Sequence, residues 1–205
     1  MKAIFYRDLL FFQAQKKAVL IAIPLFTLWS LFIQQGIFTL SLFIGFVTIQ
    51  IVAILQEDVA CGYHELVYAT LGAKPYILSK YVGSVMAASG ATLILLPILL
   101  LVRWLAGQSL ELLLVSILLS WYATFFILSI IIPLYLFTKA SLSQVIFFIL
   151  FIVPLLLAGV LSIKWDMTAE QITTILLPYL SIGAIGVSLI YGISLLFSLY
   201  YSKRS

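Results

Sequence analysis

The chain has 205 residues, of which 64% are hydrophobic and only 9% are charged, and its net charge is +4. A soluble domain usually carries about 25% charged residues, so this composition excludes a water-soluble globular protein. Charged residues are absent from five long runs, which cover 18–56, 81–102, 112–138, 140–163 and 171–202. A membrane-spanning helix needs about 20 apolar residues, and the longest run can hold two such helices. The sequence therefore predicts an all-α polytopic membrane protein with six transmembrane helices.

The first predicted element is the segment 1–17, which places Ile4, Phe5 and Leu9 on one helical face and Arg7 away from it. This pattern favours an interfacial helix on the inner leaflet, although a plain cytoplasmic leader that sets topology is equally compatible. The six spans follow in chain order at 18–33, 37–55, 81–105, 112–137, 144–163 and 175–201. Together they form one transmembrane domain over 1–205, in which 56–80 is the one substantial segment outside the bilayer.

The distribution of lysine and arginine sets the orientation, because these residues collect in cytoplasmic loops. With the N-terminus inside, nine of them lie in inner segments and only Arg103 and Lys164 lie outside. Trp29, Trp104 and Trp165 then fall near the outer interface, where tryptophan is enriched. Both termini are therefore predicted to be cytoplasmic. The positive charge is explained by this topology, and no nucleic-acid partner is expected.

Residues suited to membrane catalysis are missing from the predicted spans. All five charge-free runs lack acids and bases, and the only histidine, His64, lies between spans. The single cysteine, Cys61, cannot form an internal disulfide, and the sequence lacks the G-x-x-x-x-G-K-[ST] phosphate loop. We therefore expect no catalytic residues, no metal site and no cofactor in this chain. Gln50 is a candidate for lining a pathway, although one interhelical hydrogen bond explains it more simply.

The segment 56–80 is the most informative part of the sequence. An amphipathic stretch at 63–71 lies between Gly62 and Gly72, and Pro75 can begin the next helix. A short helix of this kind, joined to a span on each side, is suited to docking into a groove of another protein. The alternative is an ordinary interfacial loop.

This segment resembles the first cytoplasmic loop of ABC-2 type exporter permeases. The matching residues are Glu57 or Asp58, Gly62, Leu66, Leu71, Lys74 and the run Ile-Leu-Ser-Lys that ends at Lys80. The opening eight residues are similar to the basic-acidic leader of that family, and the number of helices and the length agree over the whole chain. One position departs from the pattern: Gly72 stands where many relatives have proline.

The resemblance implies a permease domain in the bacterial plasma membrane that works with separate ABC ATP-binding subunits and a second permease subunit, identical or different. ATP and Mg²⁺ are then bound by the ATP-binding partner, and the loop docks on it as a coupling helix. The residues expected to contribute to this coupling are Glu57, Asp58, Gly62, His64, Glu65, Leu66, Leu71, Lys74 and Lys80. The scarcity of intramembrane charge favours hydrophobic or amphipathic cargo, such as a peptide, a lipid or a drug.

Small residues recur on the third and sixth predicted spans and allow close helix packing, either within the protomer or between two protomers. They are Gly83, Ala87 and Ala91, followed by Ser181, Ala184, Ser188 and Gly192.

Two other functions fit a chain of this size. One is the substrate-binding membrane subunit of an energy-coupling-type vitamin importer, which requires a polar outer pocket that the few outer polar residues make less favourable. The other is a non-transporting immunity or assembly protein of the membrane.

Overall fold

The computed structural model describes residues 2–14, 16–32, 36–105, 111–138, 141–150 and 177–202. A 3-10 turn at Leu177–Tyr179 precedes the last of eight helices in this part of the chain. In chain order the helices are α1 (Lys2–Ala14), α2 (Lys16–Phe32), α3 (Gly36–Ala60), α4 (Tyr63–Leu71), α5 (Ala73–Leu105), α6 (Glu111–Phe137), α7 (Ser141–Leu150) and α8 (Leu180–Tyr201). The described residues contain no strand, which confirms the prediction of an all-helical protein.

Three of these helices are long and apolar enough to cross a membrane: Ala73–Leu101 of α5, Ile117–Phe137 of α6 and Leu180–Tyr201, which is α8. Gly45–Ala60 of α3 passes the same test only together with α4, and these two helices meet at an angle of 76°. The predicted first span corresponds to α2, and most of the predicted fifth span lies outside the described residues. Six spans with both termini inside therefore remain a prediction.

The core lies where α3 packs against α5 and α6, and α6 packs in turn against α8. Large aliphatic side chains fill it, among them Leu55, Leu95, Leu128 and Ile131, all almost completely buried. Hydrophobic positions on all sides of these helices suit an environment in which lipid covers the outer faces. Many large apolar side chains on α8, such as Ile182 and Ile193, are accordingly exposed.

Two predicted span boundaries are corrected near the segment 56–80. The second span was expected to end at residue 55, but α3 continues to Ala60. The third was expected to begin at residue 81, but α5 begins at Ala73. Charged residues marked both predicted ends, but Glu57, Asp58 and Lys80 all lie within helices, since a helix need not end where its apolar run ends.

The apolar face predicted for α1 is divided in the structure. Ile4 is buried against the protein, whereas Leu9 is exposed, as a side chain facing the inner leaflet would be. Arg7, expected to point away, forms an ion pair with Asp58, and Asp8 pairs with Lys80. Since positions 4, 7 and 8 lie on one side of a helix, the packed face of α1 combines apolar and charged side chains.

Candidate functional site

The short helix α4 is delimited by two glycines with left-handed backbone conformations. Gly62 has φ of 65° and precedes the first residue, and Gly72 has φ of 81° and ψ of 162° after the last. Residues other than glycine rarely adopt such backbone angles, and the conformation of Gly72 is nearly restricted to glycine. The backbone N–H of Gly72 donates to the carbonyl of Tyr68 at 3.1 Å and closes the helix. The two glycines therefore set the angles at which the chain enters and leaves α4.

Gly72 explains the one departure from the pattern of ABC-2 type permeases. Proline fixes φ near −65° and has no N–H. It could neither adopt φ of 81° nor donate to Tyr68. The turn between α4 and α5 in this chain is thus specific to glycine.

The two faces of α4 have different surroundings. On the inner face Val67 is buried with Ile4 of α1 and Tyr76 of α5. The rings of Tyr68 and Tyr76 meet edge to face with their centroids 5.6 Å apart. Burial raises the pKa of Tyr68, which lies outside the three candidate spans, to about 12, so this phenol stays neutral at physiological pH.

Leu66 lies on the outer face, where its side chain is 61% exposed, with Glu65 and Thr70 exposed beside it. Leu71, in the last turn of α4, is 53% exposed. Five positions separate the two leucines, so their side chains point about 140° apart around the helix. Leu66 and Leu71 are thus two separate apolar positions that the described part of the chain leaves uncovered.

Beneath α4 lies a group of four charged side chains, Arg7, Asp8, Asp58 and Lys80, which we call the ion cluster. Arg7 pairs with Asp58, and Lys80 contacts Asp58 at 2.7 Å and both carboxylate oxygens of Asp8 at 2.8 and 2.9 Å. Asp58 is completely buried and only 3% of the Lys80 side chain is exposed. Two positive and two negative charges alternate in space, so the cluster is neutral and each charge lies beside an opposite one.

Several neutral groups complete the surroundings of Asp58. The hydroxyl of Tyr76 donates to its Oδ2 at 2.7 Å. Nδ1 of His64 lies 3.3 Å from its backbone carbonyl. The guanidinium of Arg7 also lies over the ring of Tyr63, 3.9 Å from the centroid. Through these contacts the cluster joins α1, the end of α3, α4 and the start of α5.

The residues expected to contribute to coupling separate into two groups. Those on the surface can contact a partner: Glu57, Glu65, Leu66, Leu71 and Lys74 are exposed. Gly62 forms the turn and His64 is half-buried against Asp58. Asp58 and Lys80 lie underneath and are inaccessible in this conformation.

Sequence reasoning missed the contribution of α1 and of Tyr76 to this site. The signal was present, because Arg7 and Asp8 are opposite in charge to Asp58 and Lys80, which lie near the two ends of the segment between the first two charge-free runs. Nothing in the local pattern, however, indicates that residues so distant along the chain meet.

The other predicted positions lie elsewhere in the fold. Gln50 is half-buried on α3. On α5, Ala91 is buried, while Gly83 and Ala87 face a groove beside α1. A Cβ added at Gly83 would lie 3.7 Å from the ring of Phe5, so this part of the small-residue face packs within the chain. On α8, Ser181 and Ser188 are exposed and the other two small residues, Ala184 and Gly192, are half-buried.

The groove has a volume of about 720 Å³ and lies between α1, α3 and α5. Its walls are mainly apolar, with Leu9, Ile54 and Met86 among them, and Asp8 and Lys80 of the ion cluster lie at its polar part. Within the described residues, no group of three or more His, Cys, Asp or Glu side chains could hold a metal ion. Cys61 is exposed in the turn between α3 and α4.

A second polar network, built from hydroxyl groups, joins α5, α6 and α8. Ser194 donates to the backbone carbonyl of Ser129, so its oxygen must accept from the hydroxyl of Tyr81, 2.6 Å away. The Tyr81 oxygen then accepts from Ser198 at 3.1 Å. We call this series the hydroxyl chain; the nearby hydroxyl of Tyr191 donates to the carbonyl of Tyr81 at 2.9 Å.

Comparison with protein families gives one assignment for the whole chain. A family model described as ABC-2 family transporter protein matches residues 3–202. Comparisons with curated proteins and with solved structures gave no match.

Proposed function

Because the chain belongs to the ABC-2 family of transporter proteins and is therefore the membrane permease subunit of an ABC transporter, we propose that it exports its cargo with energy from separate ATP-binding subunits. Family membership implies association with such subunits. In this proposal the partner subunits bind ATP and Mg²⁺ and carry out the hydrolysis. The outer face of α4 carries the proposal, since the exposed Leu66 offers an apolar contact with Glu65 beside it, and Leu71 is exposed in the last turn. A short amphipathic helix of this kind fits a groove on a partner protein.

The way α4 is joined to its neighbours supports a role in transmitting movement. Only the turn at Cys61 and Gly62 separates it from α3, and only Gly72 separates it from α5. A displacement of a docked helix reaches the spans only when such connections are short and fixed. ATP-driven closure of the partner subunits would thus change the relative tilt of α3 and α5.

The sequence predicts the orientation of the proposed transporter, and the resemblance to the family implies the bacterial membrane and the second permease subunit. Both termini lie in the cytoplasm of a bacterial cell, α4 faces the same side, and two permease subunits form the pathway. The exposed side of α1, with Tyr6, Leu9 and Leu10, suits contact with the inner leaflet.

The cargo is hydrophobic or amphipathic in this proposal. In the sequence, the candidate spans Ile117–Phe137 and Leu180–Tyr201 contain no Asp, Glu, Lys, Arg or His. Such helices offer little to compensate the charge of a small ion.

Affinity purification of the tagged permease from its native membrane tests the docking surface. We expect a stoichiometric ATP-binding subunit with the parent chain and at least a tenfold loss of it with Leu66→Asp, because the new charge faces an apolar groove. Leu142→Asp is the matched control, since Leu142 is an exposed leucine in the first turn of α7.

Equal recovery of the ATPase with Leu66→Asp and with Leu142→Asp would contradict docking through α4. A tightly bound vitamin with the purified parent chain would favour the importer, and a parent chain without any ATPase would favour the non-transporting protein.

A further inference from the structure

We propose that the ion cluster joins α1 to α4 as one unit, so that a partner displacing α4 also displaces α1. The statement that a partner displaces α4 rests on the proposed function. The fixed position of α1 relative to α4 is a property of this chain alone and can be measured without a partner.

The first argument is the order of the charges. Along the cluster they follow the sequence Arg7, Asp58, Lys80, Asp8, so α1 supplies the two ends and the ends of α3 and α5 supply the middle. Moving α1 along its axis by one helical turn would separate both pairs. The alternating charges therefore specify one register of α1 on the bundle.

The second argument is that buried charges are a costly way to hold a helix in place. Apolar residues of similar volume are often at least as stabilising, and the best-documented use of a buried polar group is to fix one arrangement among several. Asp58 is completely buried, so the cluster carries this cost. An apolar contact alone, such as that of Ile4 with Val67, would allow α1 to slide along its axis.

The third argument is direct contact between α1 and α4. Arg7 pairs with Asp58 and at the same time covers the ring of Tyr63 in the first turn of α4. Ile4, one turn earlier on α1, packs with Val67 of α4. Arg7 is thus the positioning residue, because it is the one member of the cluster that contacts both Asp58 and the α4 helix.

The native Cys61 makes the test practical, since it is the only cysteine and is exposed in the turn before α4. A second spin label is introduced with Gln13→Cys, an exposed position near the end of α1. The full-length chain is placed in lipid nanodiscs and diluted with unlabelled Cys61→Ala chain, so that only distances within one chain contribute. Pulsed EPR then gives the distribution of the distance between α1 and the turn before α4.

We expect a narrow distribution for the parent and at least a twofold broader one for Arg7→Gln, which removes the ion pair and the ring contact. Arg7→Lys keeps the charge and should restore the narrow distribution. Lys17→Gln, which removes one positive charge at an exposed site on α2, should leave it unchanged. Arg7 is 28% exposed, which favours folding of its variants, and Asp8→Asn provides a second way to release α1.

Parent-like distributions in both Arg7→Gln and Asp8→Asn would overturn the union of the two helices. In the complex with the ATP-binding subunit, Ile193→Cys on α8 is paired either with the native Cys61 or, in a Cys61→Ala chain, with Gln13→Cys. Both distances should change when a non-hydrolysable ATP analogue binds, and a change at residue 61 alone would overturn the joint displacement. Failure to isolate any complex would instead contradict the proposed function and leave the first measurement valid.

Discussion

The two polar networks of the molecule hold helices together by different means. At the α4 end of the bundle, the ion cluster uses four ionised side chains from three helices. Between α5, α6 and α8, the hydroxyl chain uses Tyr81, Ser194 and Ser198 without any charge. Both networks are largely buried, so the difference does not come from exposure to solvent.

The difference follows from what each network must do. Lys80 and Tyr81 are consecutive residues of α5, so the two networks lie at nearly the same depth and on different sides of that helix. A buried charge is costly unless it is paired with an opposite charge, whereas a hydroxyl is easily accommodated by a carbonyl in the same helix. Ions are therefore placed where α1 can cover them, at the point where an external partner would act. Hydroxyl groups suit the contacts between α5, α6 and α8, where hydrogen bonds need only favour one rotation of each helix about its own axis.

The largest expected effect comes from breaking the ion cluster with Lys80→Met. This change leaves Asp8 and Asp58 near a single cation, Arg7, and removal of one member of a buried ion pair typically costs about 3–5 kcal/mol. We expect a lower midpoint of thermal unfolding in detergent, measured at a fixed heating rate because membrane proteins often unfold irreversibly.

The control for this variant is Lys17→Met, which removes an exposed lysine on α2. An exposed ion contributes little to stability. If both variants unfold at the same temperature, the ion cluster is no more important than a surface charge, and the contrast with the hydroxyl chain disappears.

The sequence predicts α4 well because its signals are local. Gly62, Gly72 and the amphipathic stretch between them indicate the helix within about ten residues of chain, and α4 has the predicted bounds. The identification of the family rested on this segment together with the leader, the number of helices and the length, and it is confirmed over residues 3–202.

The contacts beneath α4 could not be predicted in the same way. Lys80 and Asp8 are 72 positions apart, and Tyr81 and Ser194 are 113 positions apart. Hydrophobic periodicity reports which face of one helix is apolar, not which faces of two helices meet. A charged residue at the end of an apolar run was therefore interpreted as a membrane boundary, although pairing allows Lys80 to remain buried in a continuing helix.

An intermediate effect is expected from Gly72→Ala, which tests whether the backbone at α4 is as strictly determined as the ion cluster below it. A non-glycine residue in this conformation costs of order 1–3 kcal/mol. The matched substitution is Gly186→Ala in α8, the helix that carries Ser194, where an added Cβ has nothing within 4 Å. Alanine is favoured over glycine within a helix by about 0.5–1 kcal/mol.

The two alanine variants should therefore shift the thermal midpoint in opposite directions, downward for Gly72→Ala and slightly upward for Gly186→Ala. Gly72→Ala should also weaken recovery of the ATP-binding subunit, because the angle between α4 and α5 would change. A midpoint for Gly72→Ala at or above that of the parent would show that the turn adapts without strain.

The smallest effect is expected from Tyr81→Phe, which removes the central hydroxyl of the hydroxyl chain and keeps the ring. Hydrogen bonds between membrane helices contribute about 0.6 kcal/mol on average and about 1.7 kcal/mol at most. Ser194→Ala removes the acceptor of Tyr81 and also the donor to Ser129, so the two changes act on one series of bonds. The double variant should consequently lose less stability than the sum of the single variants, as measured by urea or SDS unfolding in a double-mutant cycle.

Tyr6→Phe, at an exposed tyrosine of α1, is the control for the loss of a hydroxyl alone. Additive losses in the cycle would mean that Tyr81 and Ser194 act independently, and a loss from Tyr81→Phe as large as that from Lys80→Met would mean that hydroxyl groups fix these helices as firmly as ions do.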